Sequence, residues 1–232
     1  MEVGLTAYRA AESRLSAYRP VMSLLDAVAI LASYLLGAVP FGLVLVRATR
    51  GIDLRQVGSG NIGATNAMRA AGRPVGLAVF ALDFLKGLAP VLLAAPAAGG
   101  GLSPRELQVA CGTAAVVGHC FPLYLRFRGG KGVATGCGAL LAIDWRIFLA
   151  GGAVWIATLA ATRFTGLASI LMGFAFVATA WVLWRERAPE VVVGAGLLTL
   201  LILVRHRTNI ARMLAGTEPK AFARREPRGE RR

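Results

Sequence analysis

Residues 133–204 read VATGCGALLAI / DWR / IFLAGGAVWIATLAAT / RFTG / LASILMGFAFVATAWVL / WRERAPE / VVVGAGLLTLLILV, the slashes setting off three polar interruptions. These interruptions, at Asp144–Arg146, Arg163–Gly166 and Trp184–Glu190, leave four apolar segments, the first of them short. A helix needs about 20 mostly apolar residues to cross a bilayer. Three more such runs precede: about 23–46, about 74–96, and one from Pro104 to about Tyr124. Ser103 is a natural N-cap for the last of these, and Pro104 suits its first turn. With 56% hydrophobic and 16% charged residues over 232, the chain is too apolar for an ordinary soluble domain. The expected fold is all-α, a polytopic membrane protein of about seven transmembrane helices.

Three polar strings abut these runs: Gly58-Ser59-Gly60-Asn61-Ile62-Gly63-Ala64-Thr65-Asn66-Ala67-Met68-Arg69, then Gly118 through Gly132 with Arg128-Gly129-Gly130-Lys131-Gly132 at its end, then Arg205-His206-Arg207-Thr208-Asn209-Ile210-Ala211-Arg212. Each is rich in groups that bind phosphate oxygens: cationic side chains, hydroxyls, and backbone N–H groups that glycine leaves accessible. If all three serve one site, an even number of crossings must separate the second from the third. Four segments satisfy that count and give seven in all. Basic residues set the orientation: the Arg47–Arg73 stretch, Arg126–Lys131 and the C-terminus are expected in the cytoplasm, and the N-terminus outside. Arg185, Arg187, Arg9, Arg14 and Arg19 then fall on the outer face, with Glu186 and Glu190 offsetting the first two.

Residues 1–22 form an N-terminal extension, expected to be disordered or an overlong start, with no cleavable signal pattern. Residues 23–218 are expected to form one transmembrane domain that carries the site, and 219–232 a basic cytoplasmic tail. From Arg205 onward nine Arg and Lys face three Glu, within a net charge of +14. In a soluble protein that bias would suggest nucleic acid. Beside membrane spans it points to anionic lipid instead.

The first string contains G-x-G-x-x-G, but the dinucleotide fingerprint needs a preceding strand, and a membrane span with an arginine-rich linker stands there instead, so the match is weak evidence. Its glycines let the backbone close around an anion, and a helix starting near Ala64 points N–H groups at it. The candidate phosphate-binding residues here are Gly58, Ser59, Gly60, Asn61, Thr65, Asn66 and Arg69. The second string fails as a Walker A motif, with Leu125 in place of the first glycine and no hydroxyl after Lys131. What remains is a turn of Gly129, Gly130, Lys131 and Gly132 that presents cations. A lysine flanked by glycines is costly to order unless something binds there. His119, at a helix end, is a candidate supporting residue. No Gly-x-Ser-x-Gly elbow occurs, and acidic residues are too few for paired metal ions. Cys111, Cys120 and Cys137 are an odd set without zinc spacing, expected as small core residues. Asp83 and Lys86, three apart on one helix face, should point inward and neutralise each other, as structure or as electrostatics beneath the site.

Together these strings resemble the signatures of the bacterial integral-membrane acyl-phosphate:glycerol-3-phosphate acyltransferases: G-S-G-N-I-G-A-T-N-x-x-R, G-H-x-F-P with G-G-K-G-V-A-T, and H-x-x-N-I-x-R with G-T-E. The resemblance runs from the first span through Glu218 and implies a seven-span helical fold with its active site at the cytoplasmic face of the inner membrane. It implies transfer of a long-chain acyl group from acyl phosphate to the 1-hydroxyl of glycerol-3-phosphate. By motif position, Ser59, Arg69 and Lys131 would hold phosphates, and His206 with Asn209 would position the reacting groups. Ser169 matches a family serine, and Arg212 and Glu218 would support the third string. Either His206 or a substrate phosphate would take the hydroxyl proton. No metal ion and no cofactor is called for, and direct contact with an enzyme that makes acyl phosphate is left open. A transporter of phosphorylated anions is the rival reading, weakened by the absence of an inverted repeat.

Overall fold

The computed structural model describes residues 22–221. The expectations for residues 1–21 and for the tail arginines beyond residue 221 lie outside this range. The described residues form ten α-helices: α1 Leu24–Ala38, α2 Phe41–Arg50, α3 Ala64–Ala71, α4 Arg73–Ala97, α5 Pro104–Cys120, α6 Val133–Ile143, α7 Trp145–Thr162, α8 Thr165–Trp184, α9 Pro189–Arg205 and α10 Arg207–Leu214. There are two short 3₁₀ turns, Leu54–Gln56 and Leu123–Leu125, and among the described residues no strand. By length and hydropathy five helical stretches can cross a membrane: Leu24–Arg50, Arg73–Ala97, Pro104–Leu125, Trp145–Thr162 and Thr165–Trp184. The α9–α10 pair, bent by 53°, is a sixth. The protein is a multi-pass helical membrane protein.

The boundaries follow local chemistry. The first span, expected to end near Val46, is instead broken at Val39-Pro40 and resumes as α2, because proline cannot donate a helical hydrogen bond. Ser23 and Asp26 form a capping box at the start of α1, and Ser103 and Glu106 form another at the start of α5. Helix α5 stops at Cys120, short of the expected Tyr124, since Pro122 follows. The Asp144 carboxylate caps α7, accepting from the Arg146 N–H at 2.8 Å and from the Trp184 indole at 2.9 Å.

Large apolar side chains such as Leu24, Ile156 and Val182 face outward, as lipid-facing residues do, while Phe176, Ile147 and Ile202 pack inside. Small residues let the helix backbones approach. A Cβ on Gly118 would strike the Tyr34 carbonyl oxygen, and one on Gly87 would strike that of Thr135. Thr135 therefore lies about 21 Å along α4 from Arg73, at 1.5 Å per residue. Helix α6 has 11 residues because it starts deep within the bundle.

Contacts group the helix ends into two sets. At one end Asp26 accepts from the N–H groups of Gly99 and Leu102, and Arg105 stacks 4.8 Å from the Trp184 ring while donating to the Ile143 carbonyl. At the other end lie the three polar strings. Inside, Asp83 and Lys86 pair at 2.8 Å with their side chains 3% and 2% exposed, turned inward as expected.

Candidate active site

Asn66 shapes the first string. It is buried on α3, its Oδ1 accepts from the Ser59 N–H at 3.1 Å, and its amide donates to the carbonyls of Leu54, Val57 and Asn61. Those bonds occupy both amide hydrogens, so Asn66 as placed here shapes the loop and turns no free donor toward a phosphate. A Cβ on Gly58, at φ +60°, would strike the Asn66 Oδ1. Asn61 accepts from the Gly63 N–H at 2.8 Å, just ahead of α3. Ser59 and Gly60 are exposed as a result.

The second string folds back on the helix that delivers it. Arg126 and Phe127 adopt left-handed conformations, and the chain returns so that Gly129 and Gly130 donate to the carbonyls of Cys120 and His119 at 3.2 and 3.0 Å. Gly130 sits on the His119 ring, where any Cβ would collide with its Nε2. Arg205 donates to the carbonyls of Gly130 at 2.8 Å and Gly129 at 2.6 Å. The lysine turn is thus held by both His119 and Arg205.

The third string begins where α9 ends. The His206 Nδ1 lies 2.8 Å from the Ile202 carbonyl. A carbonyl only accepts, so Nδ1 carries the proton and Nε2 keeps a free lone pair. Asn209 joins two strings. Its amide donates to the Glu218 carboxylate at 2.6 Å, which turns its Oδ1 towards the Lys131 ammonium, and the two are hydrogen-bonded. The other Glu218 oxygen accepts from Arg212 at 2.7 Å.

Between the strings lies a cleft of about 190 Å³ lined by Ser59, Gly60, Asn61, Gly129, Lys131, Arg205, Arg207, Thr208 and Arg212. The lining holds four cationic side chains and no carboxylate. Burial, with the guanidinium groups of Arg212, Arg205 and Arg69 adding to it against the pull of Glu218, pushes the Lys131 amine down to about 8.

Other expected residues stand back from this cleft. His206 and Asn209 are buried behind it, and Gly132 caps α6 with φ +80°. Thr65 and Arg69 are exposed on α3 and do not line it, although the Arg69 charge is felt at Lys131. Ser169 is buried on α8, accepting from the Trp155 indole at 3.3 Å and donating to the Thr165 carbonyl at 2.9 Å. One turn away Gly166 packs so closely that a Cβ there would lie 2.9 Å from that of Asn209. Arg205, Arg207 and Thr208 were not singled out from sequence. Their place inside the third string was the available signal.

The chain's similarity to other proteins agrees with this arrangement. The sequence profile of the glycerol-3-phosphate acyltransferase family matches residues 27–216. The glycerol-3-phosphate acyltransferase of Dinoroseobacter shibae is 43% identical over 194 residues, covering 84% of this chain and 92% of that one. Its counterpart from Mesorhizobium japonicum is 41% identical over 197 residues, covering 85% and 96%. The crystal structure of PlsY (YgiH), an integral membrane glycerol 3-phosphate acyltransferase, in its glycerol 3-phosphate form superposes with a TM-score of 0.78 at 37% identity, covering 84% of this chain and 94% of that one. The lysophosphatidic acid form of the same protein gives 0.76 at 36% identity, with the same coverage. This chain belongs to the glycerol-3-phosphate acyltransferase family.

Proposed function

We propose that this protein transfers a fatty acyl group from acyl phosphate to the 1-hydroxyl of glycerol-3-phosphate, releasing lysophosphatidic acid and inorganic phosphate. The observation that carries this reading is the convergence of three polar strings on one cationic cleft. Two phosphate-bearing substrates repel each other, and fixed cations offset that repulsion. Acyl phosphate is a mixed anhydride, already activated, so the hydroxyl can attack its carbonyl without a covalent enzyme intermediate. Holding the two in line supplies up to about 7–11 kcal/mol of the barrier. Ser59, Asn61, Lys131 and Arg212 hold the phosphates, the second glycine turn offers further N–H groups, and Arg69 adds long-range charge. Asn209 fixes the Lys131 ammonium, and Glu218 fixes Asn209. The carbonyl oxygen gathers charge as the tetrahedral intermediate forms, and the nearby cations stabilise it. The hydroxyl proton goes to the His206 Nε2 or to a substrate phosphate, and the His206→Gln variant separates the two. Ser169 acts on the site through α8 packing.

On this reading residues 23–218 cross the bacterial inner membrane seven times, with α6 as the short crossing. The N-terminus is outside, and the cleft and basic tail are in the cytoplasm, within reach of an enzyme that supplies acyl phosphate. Purified protein given labelled glycerol-3-phosphate and palmitoyl phosphate should form a lipid-soluble product, and palmitoyl-CoA in place of the phosphate should not. Label that crosses a vesicle wall without becoming lipid would make the protein a transporter and overturn the reading.

A further inference from the structure

Beneath the lysine turn lies a buried polar cluster that the proposed reaction does not use. Asp83 and Lys86 on α4 and His119 on α5 are each at most 5% exposed. Lys86 is accounted for: it pairs with Asp83 and donates to the Val39 carbonyl at 2.9 Å, where α1 and α2 are broken. His119 Nδ1 lies 3.6 Å from the same Asp83 Oδ1 that pairs with Lys86, and this imidazole nitrogen has no hydrogen-bond partner among the described residues. The opposite edge of the same ring meets Gly130, and the His119 carbonyl accepts the Gly130 N–H. One imidazole therefore has a buried carboxylate on one edge and the catalytic turn on the other.

We propose that Asp83 is a positioning residue for the acyl transfer, acting through His119 to set the height and tilt of the Gly129–Lys131 turn, and so the placing of the Lys131 ammonium. Three features support this. A buried carboxylate paired only with Lys86 would need no imidazole beside it, and burying a charge is costly unless the surroundings compensate. Gly130 has no side chain to cushion the ring, so any rotation of His119 passes directly to the turn. Arg205 holds the turn by its two glycine carbonyls, and the His119 ring packs against the Gly130 Cα.

The inference rests on the proposed reaction for its readout, and the test separates the two failures. Asp83→Asn keeps shape and removes charge. His119→Phe keeps a ring under Gly130 and removes both nitrogens. Each variant is purified beside wild type, its melting temperature measured, and its kcat and KM determined with palmitoyl phosphate and glycerol-3-phosphate. Misplacing a reacting group by about 1 Å can cost about 100-fold. Each variant should lose at least tenfold in kcat/KM while the folded fraction still melts cooperatively, and the double variant should be no worse than the poorer single one. Full kcat/KM in folded His119→Phe would show that the ring only packs, and would overturn the proposal. Losses that multiply in the double variant would also overturn it, since two residues in one relay cannot fail independently. Should His119→Phe not fold, Asp83→Asn alone decides, with wild-type kcat/KM as the contradicting result. No turnover by wild type would instead sink the reaction itself.

Discussion

Lys131 concentrates the chemistry at the residue scale. Its amine is drawn inside the bundle by glycines that let the turn fold back, is held by Asn209, and sits among guanidinium groups. Lys131→Met should lower kcat/KM by about 100- to 1,000-fold, the range for losing one preorganised charge-stabilising donor, while the protein still purifies folded. The pH–rate profile tests the same residue. With the amine held near 8, the charge that grips phosphate is present below that pH and lost above it, so kcat/KM should fall through pH 8. In Lys131→Arg the charge persists, and the alkaline limb should shift upward or vanish. On the acid side, a fall near pH 6 marks a phosphate monoester as the proton acceptor. Loss of turnover in a His206→Gln variant that still melts cooperatively marks His206 instead. Sequence picked out Lys131, His206 and Asn209 because their strings are long and chemically odd. It could not show that Asn66 is turned into the loop, since a buried asparagine bonded to loop carbonyls and an exposed one bonded to phosphate look alike in a string of letters.

At the element scale the bundle depends on glycines where helices touch. Gly118 on α5 meets the backbone of α1, whereas a Cβ added to Gly152 on α7 would find no atom within 4 Å. Gly118→Val should lower the melting temperature by several degrees, since overpacking costs about 1–3 kcal/mol. Gly152→Ala should leave it nearly unchanged. Differential scanning fluorimetry in detergent checks both, and equal shifts would contradict this packing. The all-helical architecture and the approximate limits of the apolar runs were legible because charged interruptions and capping signals punctuate those runs. The depth of α6 was not. Sequence shows that the 133–143 segment is short, but only the contact of Gly87 with Thr135 shows that the chain enters the bundle before this helix begins.

For the whole molecule, the parity of crossings governs function. Four helices separate the lysine turn from His206, and both ends return to one cleft. The charge bias of the loops supports the cytoplasmic side proposed for that cleft, with the Arg185–Glu186 pair at the opposite end. Three strings scattered over about 150 residues of sequence could be grouped only because each carries phosphate chemistry; their distances came from the fold. The most direct test of the shared face is labelling with a membrane-impermeant thiol reagent, favoured because the native Cys111, Cys120 and Cys137 are all buried. Single Ser59→Cys, Arg128→Cys and Thr208→Cys variants would be probed in inside-out and right-side-out inner-membrane vesicles. All three should react in inside-out vesicles and none in right-side-out ones, whereas a split between the two preparations would contradict the account.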